Sequence, residues 1–231
     1  MNTSNDSNGD FTLDPPGSIA IVGAGTHGIE AGIYGRFLGY NVTILEQGSI
    51  GNHLLKDSHE ELAVLPDQCL SSLGLSAIEA QREAGNPESI PFVHPTTVSE
   101  WVSAGLVPLS QTDLLNGRVK TGHRVQNIDA IDIEPEDDMD TSDDFAADFV
   151  LHYVDSEGND GELRAEAVVI ATGDECDIKF SFPVPCPYLY RIESSLSHGT
   201  SNLIAERRQI VKIYSSLGGR HDLDLYRPPR V

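Results

Sequence analysis

Three glycines in the spacing G-x-G-x-x-G (Gly23, Gly25 and Gly28) restrict this chain more than any other feature. The run Ser18-Ile19-Ala20-Ile21-Val22 before them reads as a buried strand stopped by a tight turn. Residues 26–38 after them suit a helix, with Gly39 where a C-terminal cap falls. Asn41-Val42-Thr43-Ile44-Leu45-Glu46 reads as a second, β-branched strand. Together these make a βαβ unit of about 30 residues, whose crossover generates a parallel sheet. In that setting each glycine has a task. Gly23 permits the turn, Gly25 lets the backbone approach a pyrophosphate with no Cβ in the way, and Gly28 allows close helix–strand packing. The anion would lie at the helix N-terminus, where unpaired N–H groups and the macrodipole favour negative charge. Glu46 ends the second strand, where a carboxylate would hold the hydroxyls of an adenosine ribose and repel a 2′-phosphate, which disfavours NADP. Gly32 and Gly35, farther along the helix, are expected to pack against the sheet.

The remainder supplies more elements of an α/β fold. Residues 1–16 are rich in Asn, Ser, Asp and Pro and read as a flexible tail, leaving 17–231 as one expected domain. Between His53 and Leu115 no strand is evident; helices are expected over 69–84 and 97–106, broken by Gly85-Asn86-Pro87. Segments 118–121, 125–133, 149–154 and 161–165 read as strands of a small antiparallel meander, because short polar links separate them. The link 134–144 carries seven acids and no base; a cation site or docking tail is the functional reading, and a solvated loop is favoured. Val168-Val169-Ile170-Ala171 is another fully apolar strand, closed by Thr172-Gly173. A proline-bearing loop follows, then an expected strand over 188–192 and helix over 201–217.

Composition narrows the function classes. The 231 residues carry 36 acids against 15 Lys and Arg, a formal charge of −21 that repels phosphate backbones and anionic lipid. Nucleic acid and membrane are therefore not expected partners. No apolar run approaches the length of a membrane span, and the opening MNTSNDSNGD lacks a secretory apolar core, so a cytoplasmic protein is expected. The cysteines Cys69, Cys176 and Cys186 are odd in number and lack CxxC spacing, which argues against a disulfide framework or a dithiol centre.

Val22-Gly-Ala-Gly-Thr-His-Gly28 through Val42-Thr-Ile-Leu-Glu46 resembles the FAD-binding fingerprint of flavoproteins with two dinucleotide-binding domains, among them flavin-containing and N-hydroxylating monooxygenases and the thioredoxin reductase group. Val169-Ile170-Ala171-Thr172-Gly173 resembles the second signature of the same families, and the order of elements over roughly 17–226 agrees. The resemblance implies a Rossmann-like FAD/NAD(P)-binding domain, α/β in class, with a central parallel sheet and an antiparallel β-meander. It implies a cofactor site at Gly23, Gly25, Thr26, His27, Gly28, Glu46, Gln47, Ala171, Thr172 and Gly173. FAD is the expected cofactor, NAD the alternative, and no bound cofactor the third option. The implied activity is that of an FAD-dependent oxidoreductase of the monooxygenase or reductase lineage, taking electrons from a separate reductase or from free NADH. The alternative is a redox-inactive nucleotide-binding or interaction module.

The departures from those families concern the flavin half. They insert a second dinucleotide domain after the Ala-Thr-Gly strand, whereas here the loop 174–187 stands in its place, and no second GxGxxG occurs. Gly51-Asn52-His53-Leu54 replaces their Gly-Gly-x-Trp, and Tyr190-Arg191-Ile192-Glu193 replaces their closing Gly-Asp strand end. No residue is identified as catalytic. No metal ligand set is found either: His59-Glu60-Glu61-Leu62-Ala63 lacks the second His of a zinc-protease motif, and His53 and His59 read as surface residues of a loop. Cys69 reads as a buried core thiol, Cys176 and Cys186 as free thiols, and Trp101 as a core or interface aromatic. His27, inside the glycine loop, reads equally as a ligand contact or as solvent-exposed.

Overall fold

A computed structural model describes residues 12–56, 62, 64–83, 94–131, 149–173, 177–193 and 203–227. The chain opens with β1 (Ser18–Val22), α1 (Thr26–Phe37) and β2 (Asn41–Glu46). A short α2 (Asn52–Leu55), a 3-10 turn (Pro66–Gln68) and α3 (Ser72–Glu83) follow. Next, α4 (Val98–Trp101) runs through a π-helical turn (Val102–Leu106) into α5 (Val107–Ser110), where Pro108 has no N–H to continue the regular ladder. The strands β3 (Val119–Thr121), β4 (Arg124–Ala130), β5 (Phe149–Val154), β6 (Asp160–Ala165), β7 (Ala167–Ile170), β8 (Lys179–Phe180) and β9 (Leu189–Arg191) come next, and α6 (Leu203–Leu217) closes the described chain.

Five strands form a wholly parallel sheet in the order β3-β2-β1-β7-β9. The other four form a second sheet, β6-β5-β4-β8, antiparallel except for the β4–β8 pair. This is the α/β class expected from the sequence: a Rossmann-like parallel sheet with an antiparallel meander. Side chains alternate across a strand, and here the alternation divides two cores. Ile19, Ile21, Val42, Ile44 and Val169 face the helices, while Ala20, Val22, Leu45, Val168 and Ile170 face Ile128, Phe149 and Leu151 of the meander. Both faces of the parallel sheet are therefore covered, which is why its central strands read as unbroken apolar runs.

Two segments differ from their sequence reading. Residues 119–121, expected in the meander, form the edge of the parallel sheet, with Ile44 opposite Val119 and the Ile44 N–H donating to the Arg118 carbonyl at 2.9 Å. The Gly122-His123 link imitates a hairpin turn, but at Gly122 (φ +70°) the chain passes from one sheet to the other. Within the stretch expected to be loop, Lys179 and Phe180 add β8 to the meander, where Phe180, Phe182 and Phe149 pack in sequence. Two smaller differences concern helix positions. α3 starts at Ser72 rather than Cys69 because the Ser71 hydroxyl accepts the Gly74 N–H and so caps it. His53 lies in α2 rather than in a loop. The acidic link 134–144, His59 and Cys176 lie outside the described residues.

Candidate nucleotide site

From β1 the chain crosses through α1 to β2 on one side, and later returns to β7 on the other. The carboxyl ends of β1 and β7 thus flank a topological switch point, where the crevice of an open α/β sheet lies. The glycine loop leaves β1 there and the Ala171-Thr172-Gly173 turn leaves β7. Gly23 has φ +106°, and a Cβ on it would stand 2.8 Å from the Ala171 carbonyl oxygen. A Cβ on Gly28 would overlap the Gly23 carbonyl oxygen, so the helix can start this close to the strand only without a side chain. Gly25 differs: it is the N-cap of α1, and a Cβ there would meet nothing within 4 Å. The helix N-terminus consequently opens onto free space at this residue. Gly32 packs over Ile44 of the sheet as expected, whereas Gly35 lies under Tyr214 of α6 rather than on the sheet.

Glu46 ends β2 beside this loop and is 8% exposed. Its Oε2 accepts the Ala24 N–H at 2.7 Å, and its Oε1 accepts the Gly48 N–H at 2.8 Å. The carboxylate therefore pins the glycine loop to the end of the neighbouring strand, and about two of its roughly four acceptor positions remain for a further donor. Gln47 next to it is exposed, Thr26 is buried in the first turn of α1, and the Thr172 Oγ1 is buried with no hydrogen-bond partner among the described residues. The sequence-derived residues of the loop, the acid and the Ala-Thr-Gly turn thus come together at the ends of three adjacent strands.

His27 points elsewhere. Its Nε2 lies 2.6 Å from Oε2 of Glu206 in the first turn of α6. One turn on, the buried Glu30 accepts the Ser71 N–H (2.9 Å) and hydroxyl (2.6 Å). It also stands 3.6 Å from Arg207 Nη2, which donates to the Gln68 carbonyl. Sequence reasoning missed this network. Glu30 was visible as an acid inside an otherwise apolar helix, but nothing local to residues 203–210 announces the partner role of Glu206 or Arg207. Cys69 is buried, and that burial pushes its thiol up to about 11. Trp101 is a core aromatic whose Nε1 donates to the Cys69 carbonyl at 2.9 Å. Among the described residues no cluster of His, Cys, Asp and Glu could hold a metal ion, and no helix is long and apolar enough to cross a membrane.

No family model matches the chain, and no curated protein matches its sequence. Solved structures do. The bacillithiol disulfide reductase of Bacillus cereus is 19% identical over 68% of this chain and 40% of its own, with a TM-score of 0.46. The S-allyl-L-cysteine S-oxygenase of Allium sativum is 17% identical over 68% and 36%, with a TM-score of 0.45. The myxobacterial chondrochloren halogenase, described as a variant of FAD-dependent halogenases, is 14% identical over 70% and 38%, with a TM-score of 0.43. The chain spans well under two thirds of the length of each, and the likeness is one of fold.

The residues present fit the ADP part of a dinucleotide: an open helix N-terminus, an acid at the adjacent strand end and an orphaned hydroxyl on the facing turn. The Gly51 N–H donates to the Ala24 carbonyl at 2.9 Å, which folds the segment after β2 back onto the glycine loop. At the end of β9 the Glu193 backbone is tied on both sides to the Gln209 amide of α6.

Proposed function

We propose that this chain binds an adenine dinucleotide, FAD foremost and NAD as the alternative, across the carboxyl ends of β1 and β7, as an oxidoreductase of the flavin-dependent monooxygenase or reductase lineage. The observation that carries the reading is Gly25, a helix N-cap with open space where a side chain would be, at the switch point of a parallel sheet. In this role the first-turn N–H groups of α1 hold the pyrophosphate. Glu46 accepts a ribose hydroxyl while keeping its bonds to Ala24 and Gly48, and the Thr172 hydroxyl gains a partner. A bound flavin would supply the redox chemistry. Its electrons would come from free NADH or a separate reductase, since no second glycine loop is present in the sequence.

A second reading, a redox-inactive module that holds only an adenine nucleotide, is favoured by the closure of Gly51 onto Ala24. The visible absorption of freshly purified protein separates the two: flavin bands support the oxidoreductase, and a colourless protein that FAD cannot reconstitute supports the module. Calorimetric titration of FAD, NAD and ADP tests the site itself. Glu46→Ala is expected to weaken binding by about 10- to 150-fold, the equivalent of one charge-assisted hydrogen bond of about 1.5–3 kcal/mol. Wild-type protein that binds none of the three ligands would refute the proposal.

A further inference from the structure

We propose that Asn116 is a self-modification site: in the folded chain it cyclises onto the backbone nitrogen of Gly117 and converts to isoaspartate and aspartate. This chemistry belongs to one turn and holds whether or not the chain binds a nucleotide. Asn116 and Gly117 are exposed and lie in the turn between α5 and β3. The residues on either side are tied down. The Asn116 N–H donates to the Thr112 carbonyl at 2.7 Å, and the Arg118 N–H to the Leu115 carbonyl at 2.9 Å. Among the described residues, neither the Gly117 N–H nor the Asn116 carboxamide has a hydrogen-bond partner. Gly117 has φ +75°, and a Cβ on it would meet nothing within 4 Å. The space about it is open.

The step balances with water alone. The Gly117 nitrogen attacks Cγ of Asn116 and forms a C–N bond, closing a five-membered succinimide. The proton it loses goes to hydroxide or buffer base, and the carboxamide nitrogen takes one up from water and leaves as ammonia. Water then opens the ring at either carbonyl. One opening gives aspartate; the other gives isoaspartate, whose backbone runs through the former side chain and is one carbon longer. Glycine favours the attack because no side chain shields its nitrogen, and adjacency in the chain holds the two reacting groups together.

Other described asparagines are placed less favourably. Asn41 Oδ1 accepts from Arg118 at 2.7 Å, Asn127 Nδ2 donates to Asp129 at 2.6 Å, and Asn159 Nδ2 donates to Asp155 at 2.9 Å. Their successors Val42, Ile128 and Asp160 carry side chains and lie in strands. Asn52 opens α2 and is followed by His53. Asn8-Gly9 lies outside the described residues. The consequence at Asn116 falls on β3. Two residues on, the Arg118 carbonyl accepts the Ile44 N–H at 2.9 Å, and its guanidinium donates to Asn41 and to the Val42 carbonyl. A longer backbone at position 116 displaces Arg118 and loosens β3 from β2.

The test is incubation of the folded full chain in mildly alkaline buffer, followed by peptide mapping that separates aspartate from isoaspartate. The peptide holding Asn116 is expected to gain the mass of amide-to-acid conversion first among the described asparagines, with isoaspartate present. Asn8 is read on a separate peptide. Asn116→Gln must close a six-membered ring instead and should slow conversion at this position by about tenfold or more. Hydrogen exchange at the Ile44 amide should be faster in the isoaspartate form than in the unmodified protein. Asn116→Asp, which brings the charge without the extra backbone carbon, should leave that exchange slow. An Asn116 that stays intact through the incubation, or one that yields aspartate without isoaspartate, overturns the modification. So does earlier conversion of Asn41, Asn52, Asn127 or Asn159. Unchanged exchange at Ile44 in the isoaspartate form overturns the effect on β3.

Discussion

Gly25 and Gly28 stand in the same loop and are glycine for unrelated reasons, which separates binding from folding in experiment. A methyl group at Gly28 collides with the Gly23 carbonyl, so Gly28→Ala must displace backbone and is expected to destabilise by about 1–3 kcal/mol or more, read from the urea midpoint. A Cβ at Gly25 has nothing within 4 Å. Gly25→Val should therefore stay within about 1 kcal/mol of wild type in stability, the cost of a poorer N-cap, while losing dinucleotide binding in calorimetry. If Gly25→Val binds like wild type, the loop is only structural. Cys69 carries a prediction of the same scale. Burial and a thiol held near 11 should leave it unlabelled by a thiol reagent at neutral pH until denaturant is added, as peptide mapping would report.

The two helices on the site's flank are held together by polar contacts that run across an otherwise apolar seam. The Tyr214 hydroxyl of α6 donates to the Ala31 carbonyl of α1 at 2.8 Å, and burial raises its pKa so that it stays a donor. That carbonyl keeps its own helix, so Tyr214→Phe should cost only about 1 kcal/mol in urea unfolding. Glu30 is a different case. It holds Ser71, the cap of α3, and faces Arg207 of α6, so its removal leaves a half-buried guanidinium without its carboxylate and loosens three helices at once. Glu30→Ala is expected to destabilise by about 3–5 kcal/mol, the range for breaking a buried pair from one side. A loss below about 1 kcal/mol would show that the network contributes little. At this scale the elements themselves were legible, because β1, β2 and β7 are short apolar runs, α1 lies between the glycine loop and Gly39, and α6 alternates apolar and polar positions. The assignment of β3 was not: a three-residue strand reads the same in either sheet, and only its partner decides.

Across the whole molecule the formal charge of −21 sets the response to solution conditions. Self-repulsion in the compact state is screened by salt, so the melting temperature at neutral pH is expected to rise as ionic strength increases from about 0.01 M to about 0.15 M. Acid acts in the opposite direction at low pH. The Ser181 and Asn127 side chains and His152 hold Asp129 below the usual carboxylate range, Asn159 does the same for Asp155, and Thr96 for Glu100. A carboxylate depressed in the folded state contributes stability above its unfolded pKa and loses it as pH falls through the folded value. These groups therefore favour folding at neutral pH and lose that contribution progressively as the pH falls below about 4. A melting temperature that keeps rising on acidification from pH 4 to pH 2 would contradict this, and Asp129→Asn should flatten part of the fall.

The local features of the site could be read from the sequence alone because each rests on a short-range rule. An apolar run, G-x-G-x-x-G, and a second β-branched run ending in an acid together are the sequence form of a strand–turn–helix–strand unit. Hence Gly23, Gly25, Gly28 and Glu46 sit where the spacing puts them. What only the tertiary structure decided are contacts between segments far apart in the chain. Glu206 meets His27 across 179 positions, Arg207 meets Glu30, and β8, from a proline-bearing loop, pairs with β4. A buried charge takes its partner from whatever the fold brings within a few ångströms, and no local pattern encodes that choice.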